Sequence, residues 1–175
     1  MSVLGINMSS LIIRPALITD VSSIVEVRVG AFTEEEVSGF IVPGESLYAS
    51  TEKLRKMWDR EILLKDGFEV FVAECETNLV GFIVYNMKSC DDNIDNVVVA
   101  KKEQGKGVGR ALVEYVEALA KYRGYDVMRT DTTENARGVP WKSYGFWRRM
   151  GYEDTGERVA TEYGFKVIPL LKKLK

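Results

Sequence analysis

The chain has 175 residues, 46% of them hydrophobic and 29% charged, with a formal net charge of -2. That is the size and mixture of one globular domain, able to bury roughly two thirds of the surface its unfolded form exposes, and it lacks the basic profile of a nucleic-acid binder. The sequence holds no histidine, which excludes Ser/His and Cys/His nucleophile pairs and zinc sites built on imidazole, so proton transfer falls to carboxylates, Tyr, Lys, Cys, backbone dipoles or water.

Cys75 and Cys90 are too few and too far apart for a CxxC pair or a zinc cluster, and no metal site is expected. Met1 to Ser10 lacks a positive region followed by an apolar core, and no apolar run approaches the roughly 20 residues that span a membrane. A cytoplasmic protein with reduced thiols, no membrane contact and no nucleic-acid partner is the expectation.

In chain order, Leu11-Ile12-Ile13-Arg14 reads as a short strand ended by Pro15. Thr19 or Asp20 is placed to cap a helix that carries Val21, Ile24, Val25, Arg28 and Phe32 near helical spacing. Glu34-Glu35-Glu36 is a run of like charge of the kind that forms a solvated face or loop, a catalytic carboxylate cluster being the alternative. Residues 40–48, with Pro43 and Gly44, read as a loop; Ser50 or Thr51 then caps a second helix carrying Leu54, Met57, Trp58, Glu61 and Leu64, which ends near Asp66-Gly67. Phe68 to Glu74 and Leu79 to Met87 form an antiparallel hairpin around the polar link Glu76-Thr77-Asn78. A polar turn, Ser89 to Asn93, leads into a strand from Ile94 to Ala100.

The next helix places Val108, Leu112, Tyr115, Val116 and Leu119 on one stripe and stops at Arg123-Gly124. Val127 to Thr130 is a strand, residues 132–140 a polar connection, and Trp141 to Met150 a short helix ended by Gly151. Arg158 to Tyr163 and Phe165 to Leu171 read as a closing strand pair, with Pro169 suited to an edge. Mixed strands and helices with one crossover predict a single α+β domain over residues 11–175, preceded by an N-terminal extension, residues 1–10.

The most informative stretch is Asn96 to Leu112, NVVVAKKEQGKGVGRAL. A strand, a tight loop with Gly105, Gly107 and Gly109, and a helix follow one another. The first N–H groups of a helix have no partner inside it, and the peptide dipoles add partial positive charge there, so such an end attracts anions, phosphate above all. Alternate glycines remove side chains that would hold a bulky diphosphate away, and they permit dihedrals that aim several N–H groups at one point. A strand-to-helix turn whose glycines only relieve crowding is the plainer alternative. The dinucleotide fingerprint fails because position 110 is Arg, and the P-loop fails because Lys106 is followed by Gly107.

What remains, Gln104-x-x-Gly107-x-Gly109 behind an apolar strand, resembles the acetyl-coenzyme A signature of the GNAT N-acetyltransferases, Gln/Arg-x-x-Gly-x-Gly/Ala. Ile13-Arg14-Pro15-Ala16 with Asp20 looks like that family's opening strand and helix, and Asn135 and Gly151-Tyr152 look like its closing landmarks, so the resemblance covers residues 11 to 153. It implies the GNAT fold, a mixed sheet with helices. It also implies acetyl-CoA as co-substrate in a cleft where the central strand splays from its neighbour. Carried over, the backbone of Val97, Val98 and Val99 would pair with the pantetheine arm as an added strand. The amides of Gly105, Lys106, Gly107, Val108, Gly109 and Arg110 would hold the diphosphate, Gln104 would shape the loop, and Asn135 would belong to the cofactor site.

The implied reaction is acetyl transfer to a primary amine, of a small molecule or a peptide, by direct attack in a ternary complex. A lysine-like amine with pKa near 10.4 is neutral in about one molecule in a few thousand at pH 7, so a base or an apolar pocket is needed. Asp95, two and four residues before Val97 and Val99 and therefore expected on their face of the strand, is the candidate base, with Asp91 and Asp92 at its mouth. A backbone N–H near Val98 or Val99 is the expected oxyanion donor.

Where the family places a general-acid Tyr, four residues before the closing Gly, this chain has Trp147; Tyr144, one turn earlier, is the substitute, unless the thiolate leaves without an acid. Relatives that acetylate peptide N-termini carry a Glu five residues before the Asn landmark; Thr130 stands there, Asp131 beside it is expected on the opposite face, and Arg137 to Lys142 looks like an insertion. Trp147 in place of Tyr keeps open a second reading, a non-catalytic acyl-CoA sensor or interaction module. A monomer or a homodimer fits either reading.

Overall fold

The computed structural model describes residues 10–33, 36, 67–86 and 92–175. The expected second helix with Trp58, the loop of residues 40–48, Glu34, Glu35, Cys90 and Asp91 lie outside the described residues. The elements are β1 (Leu11–Pro15), α1 (Val21–Gly30), β2 (Phe68–Cys75), β3 (Asn78–Asn86), β4 (Asp92–Val99), α2 (Val108–Tyr122), β5 (Val127–Glu134), α3 (Ser143–Arg149), β6 (Glu153–Asp154), β7 (Val159–Ala160) and β8 (Lys166–Lys173). They build one mixed sheet in the order β1-β2-β3-β4-β5-β8-β6, with β7 also on β8. Among the described strands only β4 and β5 run parallel. A parallel neighbour cannot be reached by a hairpin, and α2 is the crossover that reaches it.

Period-2 alternation divides the strand side chains between two apolar layers. On one face Val21, Ile24 and Val25 of α1 pack on Val70, Val72, Phe82, Val84 and Val98. On the other, Val108, Leu112, Val113, Val116 and Ala120 of α2, with Trp147 and Met150, cover Ile83, Tyr85, Ile94, Met128, Ile168 and Leu170. Close approach of α2 depends on Gly81: a Cβ there would stand 2.9 Å from the Val98 carbonyl oxygen and 3.2 Å from Val108 Cγ1. The Val98 oxygen is backbone and cannot give way as a flexible side chain would.

Several local expectations change. Asp20 does not cap α1 with its side chain; its carboxylate accepts from Arg14 Nη1 at 2.7 Å, Arg14 Nη2 at 3.0 Å and the Leu17 N–H at 2.7 Å, which ties β1 to α1. The Arg14 guanidinium lowers the Asp20 pKa. β5 continues four residues past Thr130, because every residue from Val127 to Glu134 has a partner on β8. Pro169 is not on an edge strand: β8 has β5 on one side and β6 and β7 on the other. Its carbonyl accepts from Thr155 N–H at 3.2 Å, just past the end of β6, so the missing Pro N–H faces the gap between β6 and β7 and no ladder bond is lost.

Candidate active site

Among the described residues β4 and β5 pair only through Asp92↔Met128, Asn93↔Arg129 and Ile94↔Thr130. Beyond that apex β4 stays with β3 and β5 stays with β8, so the two parallel strands part. Thr130 Oγ1 donates to the Ile94 carbonyl at 2.9 Å and closes the apex. The position where peptide-acetylating relatives of the resemblance carry Glu is therefore a structural hydroxyl.

The register of β4 on β3 slips between Val84 and Tyr85: Ile94 faces Tyr85 and Asn96 faces Val84, with Asp95 the extra residue. This bulge corrects the expected placement of Asp95. Ile94, Val97 and Val99 pack on the α2 side of the sheet, while Asp95 is coupled to Arg28 of α1 and to Asp131. Ala100 N–H donates to Val80 O at 2.9 Å, so that pair turns its backbone groups toward each other. By alternation Phe82 and Val98 do the same, and the N–H and C=O groups of Val97 and Val99 turn outward into the gap. Val98 is thus unsuited to be the oxyanion donor: its amide is spent on β3 and its side chain, 1% exposed, packs under α1. Val97 and Val99 remain.

The loop that follows sits at the same end. Gln104 Nε2 donates to the carbonyls of Val99 at 3.0 Å and Ala31 at 3.1 Å, which fixes the loop to β4 and to the end of α1. Gly105 and Gly107 have φ of 79° and 95°, and Gly107 is the N-cap residue of α2. Nothing lies within 4 Å of a Cβ built at Gly105, so the space beside its Cα is open. Gly109 differs: it is helical, and a Cβ there would make only ordinary contacts of 3.5 Å with Phe146 and Val99. Lys106 Nζ is paired with Glu103 Oε2 at 3.0 Å. Arg110 is exposed beside it, and the Val108 side chain is core, leaving only its amide for a ligand. Outward strand amides beside an open helix N-terminus fit a ligand that ends in a diphosphate and begins in an amide-bearing arm.

Two carboxylates occupy the other face of the apex. Burial raises the Asp95 pKa and the Arg28 charge opposes this. Asp131 is exposed on the sheet face, yet the surrounding protein limits its hydration and, with the Asp95 charge added, pushes its pKa up to about 6. The sequence signal for Asp131 was its alternation about buried Thr130. At the far end of the gap, Glu36 Oε1 accepts from Lys101 Nζ at 2.6 Å and Lys142 Nζ at 2.9 Å. Those two lysines and the Thr33 amide hold its pKa at about 2. Lys142 also lies over the rings of Phe32 and Trp141. The bridge joins the segments that follow α1, β4 and β5.

Asn135 does not present its oxygen to the gap. Its Oδ1 accepts from Arg137 and Val139 N–H, both at 3.0 Å, folding residues 135–139 into a tight turn. The chain then doubles back on β5, with Trp141 N–H on the Thr133 carbonyl at 2.7 Å. Trp147 is 4% exposed and packs edge-on against Phe146 and Tyr152 as a core residue. Tyr144 donates its hydroxyl to Asp154 Oδ2 at 3.0 Å, and that carboxylate raises the Tyr144 pKa, weakening it as an acid. Asp154 is itself clamped by Arg158, which holds its pKa at about 2. Among the described residues no cluster of three His, Cys, Asp or Glu is set to hold a metal, and no helix is long and apolar enough to cross a membrane.

Solved structures share this architecture at low identity. PaiA N-acetyltransferase from Thermoplasma acidophilum, crystallised with coenzyme A, superposes with a TM-score of 0.67 at 18% identity over 94% of this chain and 99% of its own. Spermidine N-acetyltransferase from Vibrio cholerae, in complex with CoA and spermine, gives 0.67 at 16% identity over 95% and 96%. A GCN5-related N-acetyltransferase from Rhodopseudomonas palustris gives 0.67 at 23% over 95% and 98%. No curated protein matches the chain in sequence. The model of the acetyltransferase (GNAT) domain matches residues 66–154, which run from β2 through the parted strands and the glycine loop to β6, and the chain belongs to the GNAT acetyltransferase family.

Proposed function

We propose that the protein is an acetyl-CoA-dependent N-acetyltransferase acting on a primary amine in a ternary complex, with residues 11–175 as its single catalytic domain and the cytoplasm as its place of action. The observation that carries this is the outward-facing backbone of Val97 and Val99 beside the open amides of residues 105–110. Acetyl-CoA supplies an activated acyl carbon and a thiolate leaving group. Val97 and Val99 offer hydrogen bonds to the pantetheine arm, and Gly105, Lys106, Gly107, Val108, Gly109 and Arg110 present N–H groups to the diphosphate. Arg110 adds positive charge where a phosphate would sit. Val99 N–H is the oxyanion donor in this reading, since its carbonyl is already taken by Gln104. Asp95 keeps the approach path of the amine negative. The spermine-bound relative from Vibrio cholerae makes a small cationic amine the substrate class to try first.

Thiol release on mixing the protein with acetyl-CoA and a panel of polyamines, aminoglycosides and peptides tests the reading. Rates at the enzyme-free baseline for every amine would refute it. A second reading, an acyl-CoA-binding module without turnover, is favoured by Trp147 in the core and by the commitment of Tyr144 to Asp154. It predicts coenzyme binding in calorimetry with no amine-dependent thiol release.

A further inference from the structure

We propose that Asp131, on the strand across the gap from Asp95, is the group that takes the proton from the incoming amine. The inference rests on the acetyl-transfer reading above and adds to it the base, the face of approach and the charge of the acceptor. Ile94↔Thr130 is the last pair of the parallel ladder, so Asp95 and Asp131 are the first residues on each strand past the apex. Thr130 and Thr132 alternate with Asp131 and are 5% exposed, on the α2 side. Asp131 therefore projects from the opposite side, the side covered by α1. The glycine loop opens into α2, whose apolar stripe packs on the Ile94 and Met128 side. A ligand held by that loop and an amine held by Asp131 would meet in the gap from its two sides, which leaves a face of the thioester carbonyl free for the nitrogen lone pair to add to.

Among the described residues the charged groups facing this position are Asp95 from β4, Arg28 from α1 through its coupling to Asp95, and Arg129 two residues earlier on β5. β8 places Pro169 opposite, without charge. Arg28 favours ionised Asp95, and ionised Asp95 raises Asp131. Both carboxylates hold a proton more tightly than usual, but only Asp95 has the Arg28 charge to oppose this, so Asp95 is the one placed to attract the ammonium while Asp131 holds a proton well enough to remove one. With a pKa of about 6, Asp131 is ionised in about nine molecules of ten at pH 7 and ready to accept.

The step balances. Asp131 receives one proton from the ammonium, the freed nitrogen lone pair forms the C–N bond, and the C–S bond breaks with its electrons on sulfur. The second nitrogen proton replaces the one that sulfur takes from water. One proton, held by Asp131, returns to solvent.

The test has two parts. Carboxyl-carbon NMR on the coenzyme-free protein should find Asp131 titrating near pH 6, with its midpoint moving to lower pH in Asp95→Asn. In kinetics, kcat/KM of the wild type should fall on the acid side with that midpoint. Asp131→Asn should lose kcat by on the order of 10²- to 10⁴-fold and lose the acid limb, while coenzyme A affinity by calorimetry stays within about twofold, showing an intact fold and cofactor site. A normal carboxyl titration near 4, or an Asp131→Asn enzyme that keeps kcat and its acid limb and shows only a higher KM, overturns the assignment of the base alone. Wild-type protein that binds coenzyme A and acetylates no amine overturns the acetyl-transfer reading and this inference with it.

Discussion

Gly107 and Gly109 look equivalent in the sequence, and the structure separates them. Gly107 has φ 95° and ψ -9° at the N-cap of α2. An alanine held there meets the clash between Cβ and backbone that disfavours left-handed dihedrals, about 1–2 kcal/mol. For a chain of this length about 1 kcal/mol moves Tm by 2–4 °C, so Gly107→Ala should lower Tm by roughly 2–8 °C. The alternative is to relax the dihedral, and then the amides of residues 105–108 no longer point at one place. Loss of one charge-assisted hydrogen bond to a diphosphate, ~1.5–3 kcal/mol, weakens binding by roughly 10- to 150-fold.

Gly109 is helical and open at 3.5 Å. Gly109→Ala should hold Tm or raise it, since alanine is favoured over glycine within a helix by roughly 0.5–1 kcal/mol. Thermal melts and calorimetric titration with coenzyme A on the two variants decide the matter. If Gly107→Ala kept both its Tm and its wild-type Kd, the loop would not act through its dihedrals and the anion-cradle argument would fail.

Asp131→Asn carries a stability signature independent of activity. A carboxyl whose folded pKa is raised to about 6 contributes stability below its unfolded pKa near 3.9 and loses it as pH rises through 6. The variant should therefore match the wild type near pH 4 and melt higher at pH 7. After discounting for solvent screening the gap is ~1 kcal/mol, or about 2–4 °C; an equal gap at both pH values would contradict the raised affinity. Tyr144→Phe removes only a hydroxyl that donates to Asp154, so kcat should stay within about twofold while stability falls by about 1 kcal/mol. A 100-fold loss of kcat in that variant, measured as thiol release, would restore Tyr144 as the acid toward sulfur.

Most of the fold was legible because it rests on two periods and a few stops. Alternating Val, Ile and Phe marked β2 and β3, and the stripe through Val108, Leu112 and Val116 with Gly124 after it marked α2, since burial on one face leaves such a record. β5 past Thr130 was not legible: Asp131, Thr132, Thr133 and Glu134 read as a polar connection, and only their pairing with β8 makes them strand. The same holds for Pro169, whose tolerance depends on a gap between two short strands that no local pattern encodes. In the site, the glycine loop was local and was read. The pairing of Glu36 with Lys101 and Lys142 and the meeting of Asp95 with Asp131 join residues 36 to 106 positions apart, beyond the reach of any window.

The bulge at Asp95 explains why one strand can serve both the sheet and a ligand. In an extended chain, side-chain face and backbone direction alternate together, so a residue whose side chain enters the α2 core has its carbonyl and amide on one fixed edge. Ile94 obeys this: its side chain is core and its carbonyl faces β5, where Thr130 takes it. Without an extra residue the next such positions would be 96 and 98, with Asn96 driven into the core and Val97 and Val99 turned to β3. Inserting Asp95 shifts the phase by one, so Val97 and Val99 enter the core and their amides face the gap. The inserted residue itself, polar and outside the ladder, is carried to the opposite face beside Asp131. One register slip thus aligns the groups available to an extended ligand arm and sets a carboxylate at the apex, and a deletion of Asp95 should abolish both together rather than weaken either alone.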